Sequence, residues 1–246
     1  GSSASTNRAA DIEQASDGDL FAAMGIGNTD GIYRSVDSGT TWTKVYSSSS
    51  EERIEITCAP SNANYIYGLT ENNTSGKSGE VKYVIRSTDG GTTWSQLTPP
   101  TDGVSGDNFA RNQAWYDLSI AVDPNDETTL YIGGIDLHKS TNSGGTWTQV
   151  SHWYGGGGFP EVHADQHIAV YLPNSSDTML FGHDGGINLT KDATSSTPSF
   201  SHQIIGYNVT QFYSCAIHPT AGTDVFLAGA QDNGSHSFSS KGMNNT

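Results

Sequence analysis

The residues best suited to chemistry are four carboxylates and two imidazoles between positions 161 and 232. Glu161, His163, Asp165 and His167 share one stretch, Glu161-Val162-His163-Ala164-Asp165-Gln166-His167. Asp184 follows in Gly182-His183-Asp184-Gly185-Gly186, and Asp232 in Ala230-Gln231-Asp232-Asn233-Gly234. Glycoside hydrolysis needs two carboxylates flanking the bond, ~5–5.5 Å apart for retention of configuration or ~6.5–9.5 Å for inversion. Glu161, Asp165, Asp184 and Asp232 are therefore the candidate catalytic acids. If residues 161–167 are extended, strand period two puts His163, Asp165 and His167 on one side and Gln166 on the other. Nitrogen and carboxylate ligands in that alternation suit Zn²⁺ or a similar metal. They equally suit a polar network in which Asp165 fixes a histidine tautomer, and both readings stand. Trp153, Tyr154 and Phe159, in the glycine-rich segment 151–160, serve either as a stacking platform for sugar rings or as packing for their own loop. With His163 and His167 they are the candidate binding residues, and no organic cofactor is expected.

Charge narrows the partners. The chain has 246 residues, 11 Lys+Arg against 26 Asp+Glu, and a formal charge of −15. A phosphate backbone would be repelled, so nucleic acid is not an expected partner. No apolar run approaches the ~18–20 residues of a membrane span. Cys58 and Cys215 lie far apart and outside any CxxC, and two buried, unpaired thiols are expected.

The elements that must position these side chains are visible as a repeat. Ser35-Val36-Asp37-Ser38-Gly39-Thr40-Thr41-Trp42 aligns without a gap with Ser87-Thr88-Asp89-Gly90-Gly91-Thr92-Thr93-Trp94 and with Ser140-Thr141-Asn142-Ser143-Gly144-Gly145-Thr146-Trp147, at spacings of 52 and 53 residues. The chemistry is that of a folded turn. Asp or Asn accepts from amides further along, Gly supplies positive φ, and Trp packs back beneath. The aspartates of these turns are structural, not catalytic. Between the turns runs a second signal, an apolar strand, a Pro/Asn/Asp/Ser turn and another apolar strand ending in Gly. It occurs at 56–68, 118–134, 168–182 and 214–229.

Hairpin plus folded turn makes four strands in about 50 residues, the size of one propeller blade. The expected fold is all-β, a propeller of four-stranded antiparallel blades, with residues 1–246 as one domain of about five blades. Blade one is expected to show only its last three strands, from about Leu20 to Val45. Blades two, three and four end near Leu97, Val150 and Ile205, the fourth with a degenerate turn at 190–197 that lacks Trp. Blade five starts at Gln211 and stops near Thr246. The first and last blades are thus partial, and the chain is expected to be an incomplete ring or a fragment of a larger propeller.

The S-x-D-x-G-x-T-W turn resembles the Asp box (BNR repeat) of sialidases, xyloglucanase-type glycoside hydrolases and sortilin-type receptors. In those families it joins the third and fourth strands of a blade. The series Val162–His167, Gly182–Ile187, Gln211-Phe212-Tyr213 and Gln231–Gly234 is similar to that of secreted bacterial Asp-box proteins. The resemblance covers about Ile32 to Gly234 and implies a secreted or cell-surface protein. It further implies that the chain acts on or binds a polysaccharide or glycan, with a peptide-recognition module of sortilin type as the alternative. A sialidase is disfavoured, because the chain lacks that family's Arg-Ile-Pro motif, and Arg34 and Arg86 belong to blade hairpins. Alternation of turns places the candidate acids on the face opposite the Asp boxes, where the long interblade loops lie.

Overall fold

The computed structural model describes residues 8–203, 211–220, 222–239 and 242–245. The described residues form five four-stranded antiparallel sheets, each in simple chain order. The first holds β1 (Arg8–Gln14), β2 (Leu20–Ile26), β3 (Gly31–Ser35) and β4 (Thr43–Ser47). The second holds β5 (Glu51–Cys58), β6 (Ile66–Asn72), β7 (Val81–Ser87) and β8 (Ser95–Leu97). The third holds β9 (Ser119–Asp123), β10 (Asp126–Gly133), β11 (Leu137–Ser140) and β12 (Thr148–Gln149). The fourth holds β13 (Gln166–Tyr171), β14 (Met179–His183), β15 (Gly186–Thr190) and β16 (Ser201–His202). The fifth holds β17 (Phe212–Ile217), β18 (Phe226–Ala230), β19 (Ser235–Ser239) and β20 (Gly242–Asn245). First strands of successive sheets pack on one another, β5 against β1, β9 against β5 and β13 against β9.

Two blades expected to be partial have four strands each. β1 completes the first sheet by pairing Gln14 with Leu20 and Ile12 with Ala22. Its sequence, RAADIEQ, lacks the apolar alternation that marks the other inner strands, and Ile12 is exposed. β20 completes the fifth sheet from residues with no apolar pattern at all.

The aligned turns fold alike. Ser35 Oγ donates to Asp37 Oδ1 at 2.8 Å, and Ser87 Oγ to Asp89 Oδ1 at 2.8 Å. Thr41 and Thr93 donate from both backbone and hydroxyl to the same carboxylates. Asn142 does the same work with one reversal. Its Oδ1 accepts from Thr146 N at 2.8 Å, while its Nδ2 donates to Thr146 Oγ1 at 2.9 Å. Even the degenerate fourth turn keeps the pattern, with Thr190 Oγ1 donating to Asp192 at 2.8 Å. Trp42, Trp94 and Trp147, expected to pack beneath their turns, are only half-buried. Trp42 and Trp94 donate their ring N–H to the carbonyls of Gly39 and Gly91, which holds each indole on the surface of its turn. Of the two thiols, both unpaired, Cys58 is buried but Cys215 is exposed, because all of β17 is exposed.

A cross-strand pair fastens each of the first three blades to the next. Opposite one another lie Phe21 and Arg34, Tyr67 and Arg86, and Tyr131 and Lys139. Phe21 sits under the second turn, where a Cβ on Gly91 would meet its ring at 2.6 Å, and Gly91 has φ +80. Tyr67 OH donates to Glu127 O at 2.7 Å, and Arg86 Nη1 to Ser143 O at 3.0 Å, both in the third blade. Tyr131 OH and Lys139 Nζ each reach Ala193 O at 2.6 Å, and Lys139 also donates to the carbonyls of Thr194 and Ser195. In the fourth sheet the matching pair is Leu180 and Leu189.

Candidate functional site

Alternation of turns gathers three carboxylates from three separate segments. Asp165 ends the loop before β13, Asp184 sits in the β14–β15 turn, and Asp232 in the β18–β19 turn. One oxygen of each lies within 4.8 Å of the others. Asp165 and Asp184 are half-buried and Asp232 is exposed, so the cluster opens to solvent.

The three are held differently. Asp184 accepts from Tyr116 OH at 3.1 and 3.0 Å on its two oxygens, and from His167 Nε2 at 2.7 Å. Burial, with the hydrogen bond to Asp184 next, pushes the Tyr116 hydroxyl up to about 12, so it remains a donor. Tyr116 also meets the His167 ring edge-on at 4.8 Å. Asp165 accepts one bond, from Gln113 Nε2 at 3.3 Å. Burial, then the charges of Asp184 and Asp232, raise its carboxyl above the usual range, against the opposing pull of His163 and His167. Behind them Asp117 is fully buried, with neither carboxylate oxygen hydrogen-bonded. Burial first, then the charge of Asp165, pushes it up to about 8.

His163 ties the fourth blade to the fifth. Its Nε2 lies 2.9 Å from Asp232 O, and Asn233 Nδ2 donates to Asp184 O at 3.0 Å. The ring stacks on His183 at 5.6 Å and lies directly over the β14–β15 turn. A Cβ on Gly185 would come within 2.4 Å of it, so any side chain there would displace the ring.

The extended arrangement expected for 161–167 does not form. Asp165 has φ 64, a left-handed conformation that Asp tolerates better than most residues, and β13 starts only at Gln166. His163, Asp165 and His167 therefore make no shared ligand set. His163 reaches Asp232 O, and His167 reaches Asp184. Their partners are those of a polar network. The cluster that does form is all-oxygen, a donor set suited to sharing a proton or a hard cation.

Glu161 lies apart from the three aspartates. It is exposed, bridges to His152 through the backbone, and its side chain lies against Gly155. Trp153 and Tyr154 are exposed, but they meet edge-to-face at 4.6 Å and 87°, which is a ridge rather than a flat platform. Phe159 is half-buried and lies close to Gly103. The aromatic wall beside the carboxylates is instead Trp115–Tyr116, exposed at the end of the interblade loop. Gln113, Trp115, Tyr116 and Asp117 carry no motif. Their only signal is their place in a long loop on the face opposite the aligned turns.

No family model matches the chain, and no curated protein sequence does. Solved structures do match. A GH74 enzyme from Niastella koreensis superposes with a TM-score of 0.59 at 19% identity, covering 97% of this chain and 37% of that one. The GH74 xyloglucanase from Xanthomonas campestris gives 0.61 at 18%, covering 95% and 36%. YCF48 from Cyanidioschyzon merolae gives 0.51 at 13%, covering 94% and 69%. The fold is a β-propeller. The chain spans little more than a third of the length of the two GH74 enzymes. No helix among the described residues is long and apolar enough to cross a membrane.

Proposed function

We propose that this chain is the glycan-acting part of a secreted Asp-box propeller that hydrolyses a polysaccharide at the open mouth formed by Asp165, Asp184 and Asp232. The observation that carries the reading is the difference between two close carboxylates. Asp165, raised by burial and by its neighbours, is suited to giving up a proton. Asp184 is oriented by Tyr116 and His167 and serves as its carboxylate partner. The spacing, within 4.8 Å between nearest oxygens, is closer to the ~5–5.5 Å of a retaining pair than to the ~6.5–9.5 Å of an inverting one. Trp115 and Tyr116 supply exposed aromatic faces for a sugar ring beside the acids. Structural neighbours that include a xyloglucanase make xyloglucan the first substrate to try.

A second reading is peptide recognition. Both oxygens of Asp184 are already hydrogen-bonded within the protein, as in a supporting network, and one neighbour is YCF48 bound to D1 peptide. Reducing-sugar release from a panel of polysaccharides separates the two. Hydrolysis requires turnover that Asp165→Asn or Asp184→Asn abolishes with little change in Tm. Absence of turnover on every polysaccharide, with both variants melting lower, would leave the recognition reading.

A further inference from the structure

A second cluster lies on the same face and belongs to none of this chemistry. Asp102 comes from the loop between β8 and β9, Asp136 from the β10–β11 turn, and His152 from the loop after β12. All three are buried, at 2%, 1% and 0% exposure. One carboxylate oxygen of each aspartate and one ring nitrogen of His152 lie within 4.8 Å of one another. The approach of His152 Nε2 to Asp102 Oδ2 is 3.8 Å, too long for a hydrogen bond.

The hydrogen bonding of these groups is incomplete. Neither ring nitrogen of His152 has a hydrogen-bond partner, nor does Asp136 Oδ2. Asp136 Oδ1 accepts from Trp153 N at 2.7 Å. Asp102 accepts from Val104 N at 2.8 Å, Ser105 Oγ at 2.9 Å and Arg111 Nη2 at 3.4 Å. Buried polar atoms in native proteins are nearly always satisfied, and here the orphaned ones converge. Two carboxylates against one guanidinium leave the cluster net negative when the imidazole is neutral.

We propose that Asp102, Asp136 and His152 bind a divalent cation of the Zn²⁺ class. One imidazole and two carboxylates form a mixed nitrogen–oxygen set, which Zn²⁺ accepts and which suits Ca²⁺ or Mg²⁺ less well. Ligand bonds of ~2.0–2.2 Å require the three groups to draw together. The three ligands come from three loops, so the cation clips together the two interblade connections that flank the third blade. It does not touch Asp165, Asp184 or Asp232, and its failure would leave the proposed hydrolysis standing.

The test uses the whole chain, stripped with a chelator and dialysed, with Zn²⁺ alone as the probe. Calorimetry should give one Zn²⁺ per chain, and Tm should rise on adding it. Asp136→Asn should weaken Zn²⁺ binding by roughly tenfold or more, while Asp184→Asn should leave it unchanged. If Asp136→Asn fails to fold, Co²⁺ substitution of the wild-type chain replaces it, with a tetrahedral visible spectrum expected. Absence of Zn²⁺ binding to the wild type, loss of binding in Asp184→Asn instead, or an octahedral Co²⁺ spectrum like that of the free ion would each overturn the proposal.

Discussion

The two carboxylate clusters occupy the same face and draw on equivalent turns, yet their polar groups are satisfied in opposite ways. In the open cluster, Asp184 accepts from Tyr116 and His167, Asp165 accepts from Gln113, and solvent reaches Asp232. In the closed one, His152 and Asp136 keep unpartnered atoms at essentially no exposure. Composition does not separate them, since both are aspartates with histidine nearby. Solvent access does. An open cluster can trade protons and admit a substrate, whereas a closed one must be filled or electrically quiet.

The contrast breaks most sharply at Asp165. Asparagine keeps its left-handed backbone without strain but cannot donate the proton, so Asp165→Asn should lower turnover by ~10²–10⁴-fold with Tm nearly unchanged. A rate within a few-fold of wild type, measured on whichever polysaccharide is cleaved, would remove Asp165 from the chemistry.

Asp117 sharpens the same line, being a closed acid behind an open site. Burial, more than the charge of Asp165, pushes its folded carboxyl up to about 8, against about 3.9 for an unfolded one. Between those values the folded chain holds a proton that the unfolded chain has released. Stability from this group is therefore intact at pH 4 and declines as pH rises towards 8, by at most about 1.4 kcal/mol per pH unit. Asp117→Asn should match wild type near pH 4 and melt progressively higher than it towards pH 8. Parallel Tm profiles across that window would refute this.

Gly185→Ala tests whether the open cluster depends on the close fit of His163. The added methyl would stand 2.4 Å from the ring, so His163 must move and release Asp232 O. A cost of about 1–3 kcal/mol is expected from chemical denaturation, with weaker glycan binding in parallel. The smallest test concerns the thiols. Ellman's reagent should label one thiol in the native chain, exposed Cys215, and both after denaturation, because Cys58 is buried and pushed up to about 12 mainly by that burial.

The fold was legible where a physical signal repeats. Folded turns, apolar hairpins and their spacing are local, and they recur at near-constant period. β1 is not legible in the sequence, because RAADIEQ has no apolar alternation. At the site, the Asp184 and Asp232 turns could be assigned to one face by counting strands, and the structure brings them together with Asp165. Period two failed for 161–167 because one residue, Asp165, leaves the extended region. Tyr116 and Gln113 were invisible because their partners lie 68 and 52 residues away. Asp102, Asp136 and His152 share no spacing at all, and only tertiary packing puts them together.

The clasp of aromatic and cation described for the first three blades has a direction, since each blade completes the turn of its successor and none completes its own. Register is thus handed forward along the chain, and at the matching position of the fourth blade Leu180 and Leu189 offer no ring, hydroxyl or cation to continue it. What holds the fifth blade to the fourth includes the contacts of His163 with Asp232 and of Asn233 with Asp184. A molecule bound across those aspartates would stand astride a seam that the repeat leaves unfastened. Its affinity would then be felt as stiffness between two blades, and a probe on the exposed strand β17 would report occupancy of the mouth.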